Sequence, residues 1–168
     1  ILRPDLIFCG IPGSDRRSVY EEIIGRMAQQ LPFPIDVTQT YAEAIKKEDD
    51  ICIPYERGIA LPHIRKNDLD DLFVIVGILT TPVQLKAEDR GPTRIIIFSL
   101  ISDSTSAIYL KAISAFARLS MNPENLEDLA ACRSGQEFLQ CLDANHAMIK
   151  KEITAEDVME RDFPFVRL

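Results

Sequence analysis

Leu72-Phe73-Val74-Ile75-Val76-Gly77-Ile78-Leu79-Thr80 is the stretch that decides the fold. Its β-branched and apolar residues follow one another without the polar alternation of a strand that faces water on one side. Residues 94–101 repeat the pattern, with Ile95-Ile96-Ile97-Phe98 at their centre. Such runs are typical of central strands that are covered on both faces. Two of them in one chain, with helices around them, predict an α/β sandwich.

Amphipathic helices are predicted on both sides of these two strands. Upstream, apolar residues at helical spacing predict helices over about 15–30 and 38–50, with Ser14 or Asp15 capping the first. Residues 51–53 are expected to begin a strand. Downstream, helices are expected to begin near residues 106, 123 and 134. In the first of these, the residues expected to face the core are Leu110, Ile113 and Ala117.

Length and composition restrict the class of protein. The chain has 168 residues, of which 46% are hydrophobic and 27% charged, as in one globular domain. A net charge of −7 argues against a general nucleic-acid binder. No apolar run could span a bilayer and no signal peptide is seen, which favours the cytoplasm. Four cysteines without CxxC spacing and two histidines argue against zinc, so no cofactor is predicted.

A candidate nucleophile follows a proline. Residues 59–64 are expected to be extended, and Pro62, which lacks an N–H, should interrupt the ladder. His63 is then displayed at a strand end, close in sequence to Arg57 and Arg65. A neutral imidazole among cations can attack a phosphoryl group, while the cations stabilise the phosphate charge. The alternative is an edge histidine that only makes a hydrogen bond.

Three motifs resemble one family. Gly58-Ile59-Ala60-Leu61-Pro62-His63 resembles the phosphorylation-site motif of the fructose/mannitol/nitrogen-type enzyme IIA domains of the bacterial sugar phosphotransferase system. Residues 82–93 resemble the family's link between two strands, and Leu110-Lys111 resembles the segment after it. The resemblance spans about residues 2–142. It implies a single-domain α/β sandwich over 1–148, with a central mixed sheet flanked by helices.

The resemblance implies a histidine phosphocarrier, that is, a phosphotransferase with a phosphohistidine intermediate. A histidine-containing phosphocarrier protein would load His63. The domain would then pass the phosphoryl group to a sugar permease or another transporter component, or signal with it. Neither nucleic acid nor direct membrane insertion is implied, and a homodimer is left open. Two other hypotheses stand beside this one: a regulatory module with weak or lost phosphotransfer, and an interaction domain with an inert His63.

Several side chains are candidates for supporting a phosphate on His63. They are Lys47, Arg57, Ser104, Thr105, Ser106 and Tyr109. The hydroxyl residues are expected at a helix N-terminus, which offers free N–H groups. The family commonly has an arginine where Lys47 stands, and lysine lacks the two-pronged grip on phosphate. It has a second histidine where Tyr109 stands, and tyrosine cannot become a cation at neutral pH. The alternatives are a solvated Lys47 and a half-buried Tyr109 that only packs.

The C-terminal tail differs from the rest. Residues 153–166 resemble the opening of a cystathionine-β-synthase-type (CBS) domain, a kind that usually occurs in pairs and binds adenosine nucleotides. Residues 149–168 are therefore predicted to be a linker or the truncated start of such a domain. A tail that docks on its own domain is the alternative.

Overall fold

One mixed sheet lies at the centre of the computed structural model, which describes residues 2–51 and 58–144. Its strands are β1 (Ile7–Ile11), β2 (Ile59–Ala60), β3 (His63–Arg65), β4 (Phe73–Val83) and β5 (Thr93–Ile101). The order is β1-β4-β5-β2, and β3 also pairs with β5. β4 and β5 run antiparallel, whereas β1 with β4, β2 with β5 and β3 with β5 are parallel pairs. The predicted α/β architecture, with a mixed sheet flanked by helices, is confirmed.

Helices precede and follow the two long strands, as predicted. They are α1 (Arg16–Gln30), α2 (Val37–Ile51), α3 (Ser106–Leu119), α4 (Pro123–Ala131) and α5 (Gly135–Ala144). α1 begins where expected because the Asp15 carboxylate accepts a hydrogen bond from the Ser18 N–H at 2.8 Å. The expectation that Ile51 begins a strand is wrong, since it is the last residue of α2. The rest of that expected strand lies outside the described residues.

Helices cover both faces of the sheet and form a separate apolar cluster on each. On one face, α1 packs on the sheet, and its Tyr20 meets Phe98 edge-on with ring centroids 6.3 Å apart. On the other face, Phe116 of α3 and Phe138 of α5 join Ile97 in the second cluster. Successive residues of β5 alternate between the two clusters, as a strand requires. This two-sided burial explains why the run is continuously apolar.

α3 is rotated from its predicted orientation. Its buried face consists of Tyr109, Ala112, Phe116 and Leu119. Of the residues expected to face the core, Leu110 is 63% exposed and Ala117 is exposed, while Ile113 is half-buried. Both faces of this helix carry apolar residues at helical spacing. The face with two aromatic rings covers more apolar area on the sheet, so it takes the core position.

The ends of several elements meet at the end of the sheet where β3 and β5 finish. β3 and β5 are parallel, and their carboxyl ends are tied by a 2.8 Å hydrogen bond from the Lys66 N–H to the Ile101 carbonyl. β4 begins beside them, with Phe73 opposite Leu100. α3 begins at Ser106, just after β5. This end of the sheet thus combines strand ends with a helix N-terminus. Within the described ranges, no helix is both long and apolar enough to cross a membrane.

Candidate functional site

His63 is the first residue of β3 and stands beside β5. β2 ends at Ala60, so the ladder is interrupted over Leu61 and Pro62, where the proline was expected to interrupt it. The Pro62 carbonyl still accepts a hydrogen bond from the Ser99 N–H at 3.0 Å. This bond sets the register that places His63 opposite Ser99. The imidazole is held at a fixed place on the sheet and remains half-exposed.

Two neighbours orient the imidazole. Its Nδ1 lies 3.5 Å from the Leu61 carbonyl oxygen, and the centre of its ring lies 5.1 Å from that of Tyr109, with the planes tilted by 42°. A carbonyl oxygen only accepts hydrogen bonds, so this contact favours the proton on Nδ1. The lone pair is then on Nε2. That arrangement makes Nε2 the nucleophilic nitrogen.

The surroundings of His63 favour the uncharged ring. Burial lowers the pKa of His63 below its ordinary value of 6.5, and the positive charges of Lys47 and Arg65 lower this pKa further. The contact with the Leu61 carbonyl works in the opposite direction. Burial is the largest of these effects. The imidazole is therefore mostly neutral at neutral pH, as a nucleophile must be.

Cations reach the site from two elements. Lys47 is exposed on α2, and α2 is tied to the end of β3 by the Lys66–Glu43 ion pair at 3.4 Å. Arg65 lies two residues after His63 and forms an ion pair with Asp103. The positive charge of Lys47 thus acts on His63, while its side chain stays exposed to solvent. Arg57 lies outside the described residues, as does the 149–168 tail.

The three hydroxyl residues at the start of α3 are turned toward Ser102, which the sequence analysis did not single out. The Ser104 and Thr105 hydroxyl oxygens lie 2.9 and 3.1 Å from the Ser102 Oγ. The Ser106 hydroxyl donates to the Ser102 carbonyl at 3.0 Å. Thr105 is the N-cap of α3, yet its side chain makes no capping hydrogen bond to the helix. The first-turn N–H groups are therefore left without a side-chain acceptor from their N-cap residue.

Ser104 and Thr105 also line a cavity of about 270 Å³ beside the start of β4. The other lining residues are Arg3, Leu6, Asp70, Asp71, Leu72, Phe73 and Ile108. His63 does not line this cavity. Ser104 and Thr105 therefore border a space that is separate from the lining of the His63 site.

Tyr109 forms one wall of the site. It is buried, and burial raises the pKa of its hydroxyl to about 12. The phenol is therefore neutral at all physiological pH values and can donate a hydrogen bond through its O–H. It supplies no positive charge where the resembled family has a second histidine.

Two groups beside His63 were missed in the sequence. The Leu61 carbonyl could not be identified in the sequence, because every residue has a backbone carbonyl and the residue type does not show which one contacts His63. Ser99 could have been singled out, since it is the only polar residue in the apolar run 95–101. Its hydroxyl is 0% exposed and has no hydrogen-bond partner among the described residues.

Known proteins share this architecture. The family model described as "Phosphoenolpyruvate-dependent sugar phosphotransferase system, EIIA 2" matches residues 1–145. A "Nitrogen regulatory protein" of Pseudomonas aeruginosa is 24% identical over 119 residues, which are 71% of this chain and 77% of that protein. A crystal structure of nitrogen regulatory protein IIA-Ntr from Neisseria meningitidis has a TM-score of 0.71 at 18% identity, covering 84% of this chain and 96% of the other.

A second solved structure is equally informative about the fold. The crystal structure of IIA mannitol from Escherichia coli has a TM-score of 0.67 at 17% identity, and it covers 84% of this chain and 99% of that one. At such identities the likeness concerns the fold. The functional argument has to come from the site.

Proposed function

Because the chain belongs to the family of type 2 EIIA domains of the phosphoenolpyruvate-dependent sugar phosphotransferase system, we propose that it accepts a phosphoryl group on His63. The donor is a histidine-containing phosphocarrier protein. The observation that carries the proposal is the state of His63: a half-exposed imidazole at a strand end, whose neutral form is favoured and whose Nδ1 faces a carbonyl. It gives the domain a nucleophile that a partner's active site can reach.

The transfer step uses the Nε2 lone pair of His63. Nε2 attacks the phosphorus of the donor's phosphohistidine, and a new N–P bond forms as the donor's N–P bond breaks. The donor ring keeps the electron pair of the broken bond. The His63 ring carries its proton on Nδ1 throughout, facing the Leu61 carbonyl. No redox partner is needed, and the phosphoryl group only moves between two imidazoles.

Positive charge and N–H donors stabilise the transferred group. Lys47 and Arg65 are the cations that already act on the charge of His63. The neutral donors proposed to join them are the hydroxyl of Tyr109, whose ring lies against that of His63, and the first-turn N–H groups of α3. Compared with the arginine and second histidine typical of the family, this set is weaker in charge. We therefore propose slower transfer than a dedicated sugar-transport domain would need.

A regulatory role is the second candidate, and two observations favour it. The curated relative described above is named a nitrogen regulatory protein. Lys47 and Tyr109 stabilise a phosphate on His63 less than the family's usual arginine and histidine would, and slow phosphoryl transfer suits a regulatory signal. In this proposal the 149–168 tail leads to a CBS-type module that senses adenosine nucleotides. Both candidate roles belong in the cytoplasm. Transfer of the phosphoryl group from phosphorylated His63 to a permease domain would favour transport over regulation.

Intact-mass analysis tests the proposal directly. The 168-residue chain is incubated with phosphoenolpyruvate, enzyme I and the phosphocarrier protein, and the acid-labile mass of one phosphoryl group is measured. Wild type and His146→Ala should both gain it, whereas His63→Ala should not. His146 is the chain's other histidine, so the pair of variants separates the two sites. A wild-type chain that stays unmodified with a cognate donor would refute phosphoryl acceptance.

A further inference from the structure

Ser99 is a buried polar residue in the apolar strand β5. Its side chain is 0% exposed, and its hydroxyl has no hydrogen-bond partner within the described part of the chain. A buried hydroxyl left unpaired destabilises the folded protein relative to an apolar group of the same shape. Alanine or valine would fill this strand position without that cost. The hydroxyl therefore needs an explanation other than packing.

The sheet places Ser99 next to His63. The two residues are opposite each other in the parallel pair β3–β5, so their side chains leave the sheet on the same face. Neighbouring strands are about 4.8 Å apart, which is within the combined reach of a serine hydroxyl and an imidazole Nδ1. On the other side of Ser99 is Val74 of β4, which is apolar. Ile97 and Ile101, two residues away along β5, belong to the apolar cluster on this face.

Of the two residues directly opposite Ser99 on the neighbouring strands, His63 is the polar one. The present partner of its Nδ1, the Leu61 carbonyl, is at 3.5 Å, at the outer limit of a hydrogen bond. The direction of the Ser99 Oγ is set by rotation about a single bond, Cα–Cβ, so it can change without any movement of the backbone. With Oγ turned toward Nδ1, the imidazole would gain a closer acceptor than the Leu61 carbonyl, and the Ser99 hydroxyl would gain a hydrogen-bond partner.

We propose that Ser99 is a positioning residue for His63: its Oγ accepts a hydrogen bond from Nδ1–H and holds the ring with the Nε2 lone pair toward the donor. This inference deepens the proposed function, on which it rests for its biological meaning. Its physical content, the tautomer and orientation of the His63 ring, stands apart from any transfer.

Nitrogen NMR of the unphosphorylated 168-residue chain tests the inference. At about pH 8, above the ordinary imidazole pKa of about 6.5, long-range ¹⁵N–¹H correlations report which ring nitrogen carries the proton. Wild type should show mainly the Nδ1-protonated tautomer at His63. Ser99→Ala should lower the ratio of this tautomer to the other about fivefold, the effect expected of one lost neutral hydrogen bond. Assignment uses His63→Ala.

The matched control is Ser114→Ala, which removes an exposed hydroxyl that bonds the Leu110 carbonyl on α3. It should leave the tautomer ratio unchanged. A ratio unchanged in Ser99→Ala would overturn the inference, because the His63 ring would then keep its tautomer without the Ser99 hydroxyl. No donor is present in this experiment. A chain that fails to be phosphorylated but shows the tautomer shift refutes the proposed function alone.

Discussion

At the scale of single residues, the exposed ammonium of Lys47 is one of the groups that lower the pKa of His63. Lys47→Gln should therefore raise this pKa toward 6.5, because a repulsive charge is removed from beside the imidazolium. With a higher pKa, the His63 ring becomes protonated, and therefore non-nucleophilic, at a higher pH. The pH of half-maximal phosphoryl acceptance should move upward, and NMR titration of the His63 ring should show the same direction.

Lys46→Gln is the control for this charge. Lys46 is exposed on the same helix but is not among the groups that shift the pKa of His63. Both variants change the net charge equally, so a long-range effect would appear in both. If the two titrations coincide, Lys47 has no specific role at the site.

Tyr109 sets the second residue-level prediction. Tyr109→His restores the side chain that the family commonly carries, and an imidazolium forms a stronger, charge-assisted hydrogen bond to phosphate than a phenol does. The initial rate of phosphoryl acceptance should rise about tenfold, by the difference between charged and neutral hydrogen bonds. Tyr109→Phe keeps the ring beside His63 and loses the O–H, so its rate should fall below that of wild type. A Phe variant as fast as wild type would show that the hydroxyl makes no contact with the phosphate.

The position of His63 could be predicted from residue chemistry, whereas part of its surroundings could not. Pro62 lacks an N–H, which is a property of one residue, and the ladder is interrupted there. The relation between His63 and Ser99 depends on the register of two strands that are 36 residues apart in the chain. Ser104, Thr105 and Ser106 were placed at the right helix end. Their hydroxyls face Ser102 because a turn closes locally, which spacing alone does not reveal.

At the scale of elements, the first residue of α5 limits how closely the helix docks. A Cβ added at Gly135 would lie 2.2 Å from the Pro4 carbonyl oxygen, a backbone atom that cannot swing aside. Gly135→Ala should therefore destabilise the protein by about 1–3 kcal/mol, the usual cost of overpacking. The urea midpoint should fall with an unchanged slope.

Gly25→Ala provides the opposite case in α1. A Cβ at Gly25 meets no atom within 4 Å, so the change should stabilise by up to about 1 kcal/mol through helix propensity. If Gly135→Ala lowers the free energy of unfolding and Gly25→Ala raises it, the loss at Gly135 comes from the contact of the new Cβ with Pro4. A neutral Gly135→Ala would mean that α5 shifts along the sheet at little cost.

Element boundaries were predictable wherever a local signal marks them. Asp15 caps α1 and Pro123 opens α4, and both helices begin there. The face of α3 was not predictable in this way. Its helical spacing allowed two apolar stripes, and the choice between them is made by the sheet against which Tyr109 and Phe116 pack. Such a choice is decided by tertiary burial, which outweighs local pattern.

At the scale of the whole molecule, the two continuous apolar runs were sufficient for the architecture. β4 and β5 lie in the middle of the sheet order, and each contributes to both apolar clusters. The pattern predicts two covered faces because a strand with one solvated face would alternate. It does not contain the order or direction of the short strands. β2 and β3 have 2 and 3 residues, too few for a periodicity to be read.

The same distribution of the core predicts how much of the chain is needed for folding. The buried residues of both clusters lie between Leu6 and Leu142. A chain that ends at residue 148 keeps them all, so its Tm should stay within about 2 °C of that of the 168-residue chain, a difference below about 1 kcal/mol. Phosphoryl acceptance at His63 should also be unchanged. Scanning calorimetry and intact-mass analysis of the two chains, measured side by side, provide both comparisons.

The outcome decides between the two interpretations of the tail. A shared Tm means that 149–168 adds nothing to this core, as a linker toward another domain would. A Tm lower by about 5 °C or more in the shorter chain would mean that the tail packs on the domain and contributes about 1–3 kcal/mol. If acceptance also rose in that case, the docked tail would be restricting access to His63. The regulatory role would then act through the domain's own C-terminal segment.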